Sequence, residues 1–136
     1  MKLICIGDSL TFGYGVHLSQ RWTRLCAQET GWELVNEGIN GDTTGGMLAR
    51  MQGGVLAELR EGGLGADRPY ALLMGGSNDV FYSGSDAAAR ENMGAMIHSS
   101  FPWACCRWLV SRFRRMHRMR RGRGRSRSIL KRRSGR

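Results

Sequence analysis

Apolar residues follow two alternating rhythms as far as residue 98. The run KLICI, residues 2–6, is apolar after its lysine and is closed by Gly7, which predicts a strand buried on both faces of a parallel sheet. In SQRWTRLCAQET, residues 19–30, Trp22, Leu25, Cys26 and Glu29 recur at helical spacing, with Ser19 as the cap and Gly31 as the stop. WELVNEGI, residues 32–39, reads as a second strand that runs out into NGDTTGG, where Asp42, Thr43 and Thr44 are turn and cap residues. The stretch MLARMQGGVLAELREGG, residues 47–63, lays Met47, Leu48, Met51, Val55, Leu56 and Leu59 on one helical stripe. Gly53 and Gly54 within it cost about 1 kcal/mol each relative to alanine, so a kink is expected there. PYALLMGG, residues 69–76, predicts a third strand, and SDAAARENMGAMIH, residues 85–98, a third helix capped by Ser85.

The order βαβαβα requires crossover connections and therefore a parallel sheet covered on its faces. Ligands of such sheets bind beyond the carboxyl ends of the strands. Asp8 and Ser9 emerge there from the first strand, Asn36 to Asp42 from the second and Gly76 to Asp79 from the third. A serine in a glycine-rich loop is by itself an ordinary turn or cap residue. Three polar, glycine-rich loops meeting at one rim make Ser9 a candidate for chemistry.

The segments GDSLTFGYG, VNEGINGDTT and LLMGGSNDV resemble, in order and spacing, the first three blocks of the SGNH, or GDSL-motif, hydrolases. The resemblance covers residues 2–98. It implies a flavodoxin-like α/β/α domain whose nucleophile is Ser9, with an oxyanion hole formed by the N–H of Ser9, the N–H of Gly41 and the side-chain amide of Asn78. It implies a small acyl ester as substrate, hydrolysed through an acyl-enzyme with no metal or organic cofactor. The family spans lipases, arylesterases, thioesterases and carbohydrate deacetylases. Acyl transfer needs several donors facing the developing oxyanion. Gly41 suits that task because a residue without Cβ lets its N–H come close, and Asn78 because its amide N–H groups stay protonated at any working pH. Asp8 and Asp79 are expected to order their loops.

The chain departs from the family pattern in one respect. A serine hydroxyl needs a base, usually a histidine oriented by a carboxylate, and the family takes both from a late DxxH segment. No DxxH occurs here, and no Asp or Glu follows Glu91. Of the three histidines, His17 is expected in a solvated loop, His98 at a helix end, and His117 among arginines. The expectation is a domain of residues 1–98, truncated after about three strands, that turns over weakly or not at all.

Charge divides the chain at the same point. Residues 1–98 carry 7 Lys and Arg against 11 Asp and Glu, whereas residues 99–136 carry 14 Lys and Arg and no acid, giving +10 overall. Two expectations compete for this arginine-rich tail. RRGRGRSRS suits a phosphate-binding arm, and Trp103, Cys106, Leu109, Val110 and Phe113 could form the apolar face of a basic helix on an anionic membrane. The alternative function is accordingly nucleic-acid binding through the tail alone. Against this, Arg, Gly, Trp and Cys, whose codons share a central G, make up 20 of residues 99–136, the bias of a GC-rich gene read out of frame. The tail is expected to be disordered or out-of-frame.

Length and cysteine usage narrow the class further. With 136 residues there is room for one domain at most, no run reaches the eighteen or so apolar residues of a membrane span, and MKLICIG, which turns polar after a few apolar residues, is not expected to be a signal peptide. A cytoplasmic location is the expectation. Cys5, Cys26, Cys105 and Cys106 lack CxxC spacing and read as reduced thiols rather than a zinc or disulfide framework.

Overall fold

In the computed structural model, which describes residues 1–61, 69–100 and 105–106, the first apolar run is strand β1 (Lys2–Gly7). It lies between two parallel neighbours, β2 (Glu33–Gly38) on one side and β3 (Tyr70–Met74) on the other. One strand lies beyond the three expected. The two-residue β4 (Cys105–Cys106) pairs in parallel with Tyr70 and Ala71, so the order is β2-β1-β3-β4 and the start of β3 is not an edge. Two residues are too few to show an alternation, and the arginine-rich surroundings hide the pair. The remainder of the basic segment, including Trp103, Leu109, Val110, Phe113 and His117, lies outside the described residues.

The helices cover both faces, which makes three layers. On one face pack α3 (Thr44–Arg50), a π-helical turn over Met51–Val55, α4 (Leu56–Glu61) and α6 (Ala87–Ser100). The expected stripe does the packing: Met47, Met51, Val55, Leu56 and Leu59 are buried, and Leu48 is partly buried against them. Ile4, Ile6, Ala71 and Leu73 meet them from the sheet, and Met93 and Met96 from α6. Each fully buried Val, Leu, Ile or Met among them contributes about 1.5–3 kcal/mol. Gly53 and Gly54 fall inside the π-helical turn, and the expected kink takes the form of a widened turn.

The opposite face carries α1 (Ser9–Phe12) and α2 (Trp22–Thr30). Cys5 pairs in register with Asn36, whose side-chain amide donates to the Thr11 carbonyl at 2.8 Å and the Thr23 hydroxyl at 3.0 Å. These bonds tie both helices to β2. The stripe expected on α2 is rotated: Thr23 is its buried residue and Leu25 is exposed. Ser19 does not cap α2. It sits in a 3₁₀ turn over Leu18–Gln20 and bonds His17, while Gly31 ends α2 in the left-handed conformation as expected. Ser85 Oγ accepts the Ala87 N–H at 3.2 Å at the start of α6, also as expected. Among the described residues no helix is long and apolar enough to cross a membrane.

Candidate active site

Three strands end at the same level. Gly7 stands opposite Gly38 on one side and Met74 on the other, and the Ile39 N–H donates to the Gly7 carbonyl at 3.0 Å. The segments holding Ser9, Gly41 and Asn78 therefore leave the sheet side by side.

After β1 the chain turns at once into α1, four residues that hydropathy alone does not separate from a loop. Asp8 starts the turn: almost fully buried, it accepts the Leu10 N–H on Oδ1 at 2.9 Å. Its carboxylate is thus committed to the backbone, the role expected of it. Ser9 is the first residue of α1, half-buried, and its carbonyl accepts from Gly13 and Tyr14. Among the described residues its hydroxyl and its N–H have no partner, as the first N–H groups of a helix lack one within the helix. Gly38 lets α1 lie this low on the sheet, because a Cβ there would stand 2.6 Å from the Phe12 Cα.

The loop after β2 reverses at Gly41, whose φ of 75° is the left-handed conformation that glycine adopts without strain. The Gly41 N–H also has no partner among the described residues. Asp42 then anchors the loop. Its Oδ2 accepts from Arg50 Nε at 3.1 Å and from an Arg50 terminal nitrogen at 2.7 Å. The same guanidinium donates to the Glu37 carbonyl at 3.1 Å and reaches the Gly7 carbonyl at 3.5 Å, so one side chain joins β1, β2 and the Gly41 loop. The hydropathy pattern does not single out Arg50. The available signal was an isolated arginine between Arg24 and Arg60, at the end of the helix that Thr43 begins.

Beyond β3 the chain enters α5 (Ser77–Ser83), a helix that the sequence pattern leaves as part of the loop. Asn78 Nδ2 donates to the Asp42 carbonyl at 2.7 Å. An amide nitrogen carries two hydrogens, and the second has no partner among the described residues. Asp79, buried, accepts the Thr44 N–H at 2.9 Å and the Thr44 hydroxyl at 2.6 Å. It orders the loop as expected, and Thr43 Oγ1 caps α3 by accepting the Gly46 N–H at 3.3 Å. The structure thus joins Asn78 directly to the Gly41–Asp42 turn and brings Ser9 to the same rim through strand register, with no hydrogen bond between Ser9 and either residue.

The two histidines among the described residues, His17 and His98, do not supply a base at this rim. His17 Nδ1 is engaged by the Ser19 hydroxyl at 2.9 Å in the 3₁₀ turn. His98 is exposed on the last turn of α6, which leads toward a strand paired with the first residues of β3. At 1.5 Å per residue it lies roughly 16 Å down the helix from Ala87, toward the amino ends of the strands and away from Ser9. His117 is outside the described residues.

A model of the GDSL-like lipase/acylhydrolase family matches residues 5–129. Esterase TesA of Pseudomonas aeruginosa is 30% identical over 104 residues, which are 72% of this chain and 47% of that enzyme. The chain therefore spans about half the length of this curated relative. The crystal structure of TesA superposes with a TM-score of 0.66 at 26% identity, over 79% of this chain and 59% of that one. A lipolytic G-D-S-L family protein from Veillonella parvula superposes with a TM-score of 0.69 over 79% of this chain and 57% of its own, and at 21% identity that likeness bears on the fold alone.

Proposed function

The protein belongs to the GDSL-like lipase/acylhydrolase family, and from that membership we propose that it is an acyl-ester hydrolase with Ser9 as nucleophile. The Ser9 hydroxyl attacks the ester carbonyl carbon, and the carbonyl oxygen takes up negative charge. The N–H of Ser9, the N–H of Gly41 and the second N–H of Asn78 Nδ2 stabilise that oxyanion, each such donor contributing about 3–4 kcal/mol to the transition state. The alcohol leaves with a proton, and water then releases the acid from the serine ester.

One observation carries this reading: three N–H donors and one hydroxyl, all without partners among the described residues, stand on three segments that leave the sheet at one level. The exposed apolar side chains of Leu10, Ile39 and Phe81, on the same three segments, suit an ester with an apolar acyl group. Among the described residues no carboxylate-oriented histidine stands with them, and under this reading those residues supply the nucleophile and the oxyanion hole. Labelling with an alkyl fluorophosphonate tests the assignment. With imidazole added as the general base, mass spectrometry is expected to find the adduct on Ser9, slowed in Asn78→Ala and absent in Ser9→Ala; an adduct on another serine would reject Ser9.

A second reading rests on the concentration of 14 Lys and Arg in residues 99–136. Under it the tail binds nucleic acid by charge, with affinity falling steeply as salt rises. The two readings are separable, since Ser9→Ala abolishes labelling and leaves nucleic-acid binding unchanged.

A further inference from the structure

An open groove of about 530 Å³ is lined by the 3₁₀ turn, α2 and the face of β2 that carries Leu34 and Asn36, and Ser9 is not among its lining residues. Its volume falls within the range of small-ligand sites. Leu18, Ala27 and Leu34 give it an apolar floor, and Arg21, Arg24 and His17 supply the charged or chargeable groups, with no acid among the lining residues.

The arginines are placed against their own electrostatics. Arg21 precedes the first turn of α2 and Arg24 lies within it, where the helix field disfavours cations, and that turn contains no acidic residue. Three positions apart, the two also repel each other. Neither forms an ion pair with a carboxylate among the described residues, whereas Lys2, Arg50 and Arg90 do. Arg21 is held in place: its guanidinium lies 4.1 Å over the Phe12 ring centre, and its Nε is buried without a partner.

We propose that this groove binds an oxyanion on an apolar stem, a carboxylate or a phosphate monoester, with the oxyanion between Arg21 and Arg24 and the stem along Leu18, Ala27 and Leu34. The anion offsets the uncompensated positive charge at the start of α2, and guanidinium groups match the planar, two-oxygen edge of such ligands. The apolar floor separates this ligand from a free inorganic ion.

The basic tail also attracts anions, so the test must be resolved by residue. The full chain, labelled with ¹⁵N, is titrated with octanoate, octyl phosphate and inorganic phosphate while the amides of Thr23, Arg24, Ala27 and Leu34 are followed. Saturable shifts at these amides are expected with at least one octyl compound, and which of the two saturates first identifies the head group. Because Arg24 and Leu18 are exposed, Arg24→Gln and Leu18→Glu should leave the fold intact and weaken binding about tenfold or more, the loss of one charge-assisted bond. Shifts confined to residues 107–136, groove shifts that neither variant changes, or inorganic phosphate binding as tightly as octyl phosphate would each overturn the proposal.

Discussion

The side-chain amide of Asn78 donates to the main-chain carbonyl of Asp42 at 2.7 Å, so one of its two N–H groups holds the Gly41 loop and the other remains for a ligand. Asn78→Ala removes both. Loss of the loop bond is expected to lower stability by about 1 kcal/mol, and loss of the free donor to slow fluorophosphonate labelling of Ser9 by about two to three orders of magnitude. Asn78→Asp sets a carboxylate oxygen against the Asp42 carbonyl and should be the less stable of the two. Denaturant melts and labelling rates measured on the same samples check both effects; equal labelling of wild type and Asn78→Ala would remove Asn78 from the oxyanion hole.

Two glycines at the rim are required for different physical reasons, and substitution separates them. At Gly41 a Cβ meets nothing within 4 Å, but φ is 75°, so Gly41→Ala is expected to cost about 1–2 kcal/mol through backbone strain and Gly41→Asn less. At Gly38 a Cβ would run into the backbone of α1 at Phe12, which cannot yield as a flexible side chain can. Gly38→Ala should therefore displace α1 and Ser9 with it, abolishing labelling as well as lowering stability. Urea midpoints for Gly38→Ala, Gly41→Ala and Gly41→Asn check the order.

The same contrast explains which parts of the fold were legible in the sequence. Strands β1 and β3 announce themselves because a strand covered on both faces must be apolar at successive positions, as Ile4, Cys5 and Ile6 are. The stripe from Met47 to Leu59 is legible because residues three or four apart on these helical turns face one core. By contrast α1 has four residues, too few for a period, and α5 leaves Phe81 and Tyr82 exposed, so neither shows the pattern of a packed helix. Ser19 looks like a cap by residue type, but the His17 ring competes for it two positions away. Arg50 acts through its reach to Asp42, Glu37 and Gly7, which only the folded chain brings together. The resemblance to the SGNH blocks nominated Ser9, Gly41 and Asn78; the geometry adds that the N–H groups of Ser9 and Gly41 and the second amide hydrogen of Asn78 lack partners among the described residues, and that His98 lies toward the other end of the sheet.

Cys5 gives a pH signature of the folded sheet. Its thiol is pushed from 9.0 up to about 12, first by burial and then by the neighbouring Cys26. Between those values the unfolded chain releases a proton that the folded chain keeps. Stability from this group is therefore fully present below pH 9 and is lost as pH rises toward 12, by at most about 1.4 kcal/mol per pH unit. Because lysine and tyrosine titrate in the same range, the expected observable is the difference between wild type and Cys5→Ala, whose stability curve should lack this component. Alkylation by iodoacetamide at pH 8 should modify Cys26, which is half-buried, and reach Cys5 only in denaturant. Rapid native alkylation of Cys5 would contradict its burial.

Among the described residues no histidine stands beside Ser9 to take its proton. Removing the histidine of a serine triad lowers turnover by about six orders of magnitude, leaving what the oxyanion hole alone supports. His17 is held by Ser19, and His98 lies roughly 16 Å from the start of α6, toward the amino ends of the strands. Hydrolysis of p-nitrophenyl acetate is therefore expected close to the uncatalysed rate, and His17→Ala and His98→Ala should leave it unchanged. A soluble base can stand in for an absent one if the nucleophile and donors are already in place. Added imidazole should then raise the rate in proportion to its neutral form, beyond the rise seen with Ser9→Ala, which subtracts hydrolysis by imidazole alone. A Ser9-dependent increment identifies a site complete except for its base. High activity without imidazole that disappears in His17→Ala would mean that the 3₁₀ turn releases His17 from Ser19 and turns it toward Ser9.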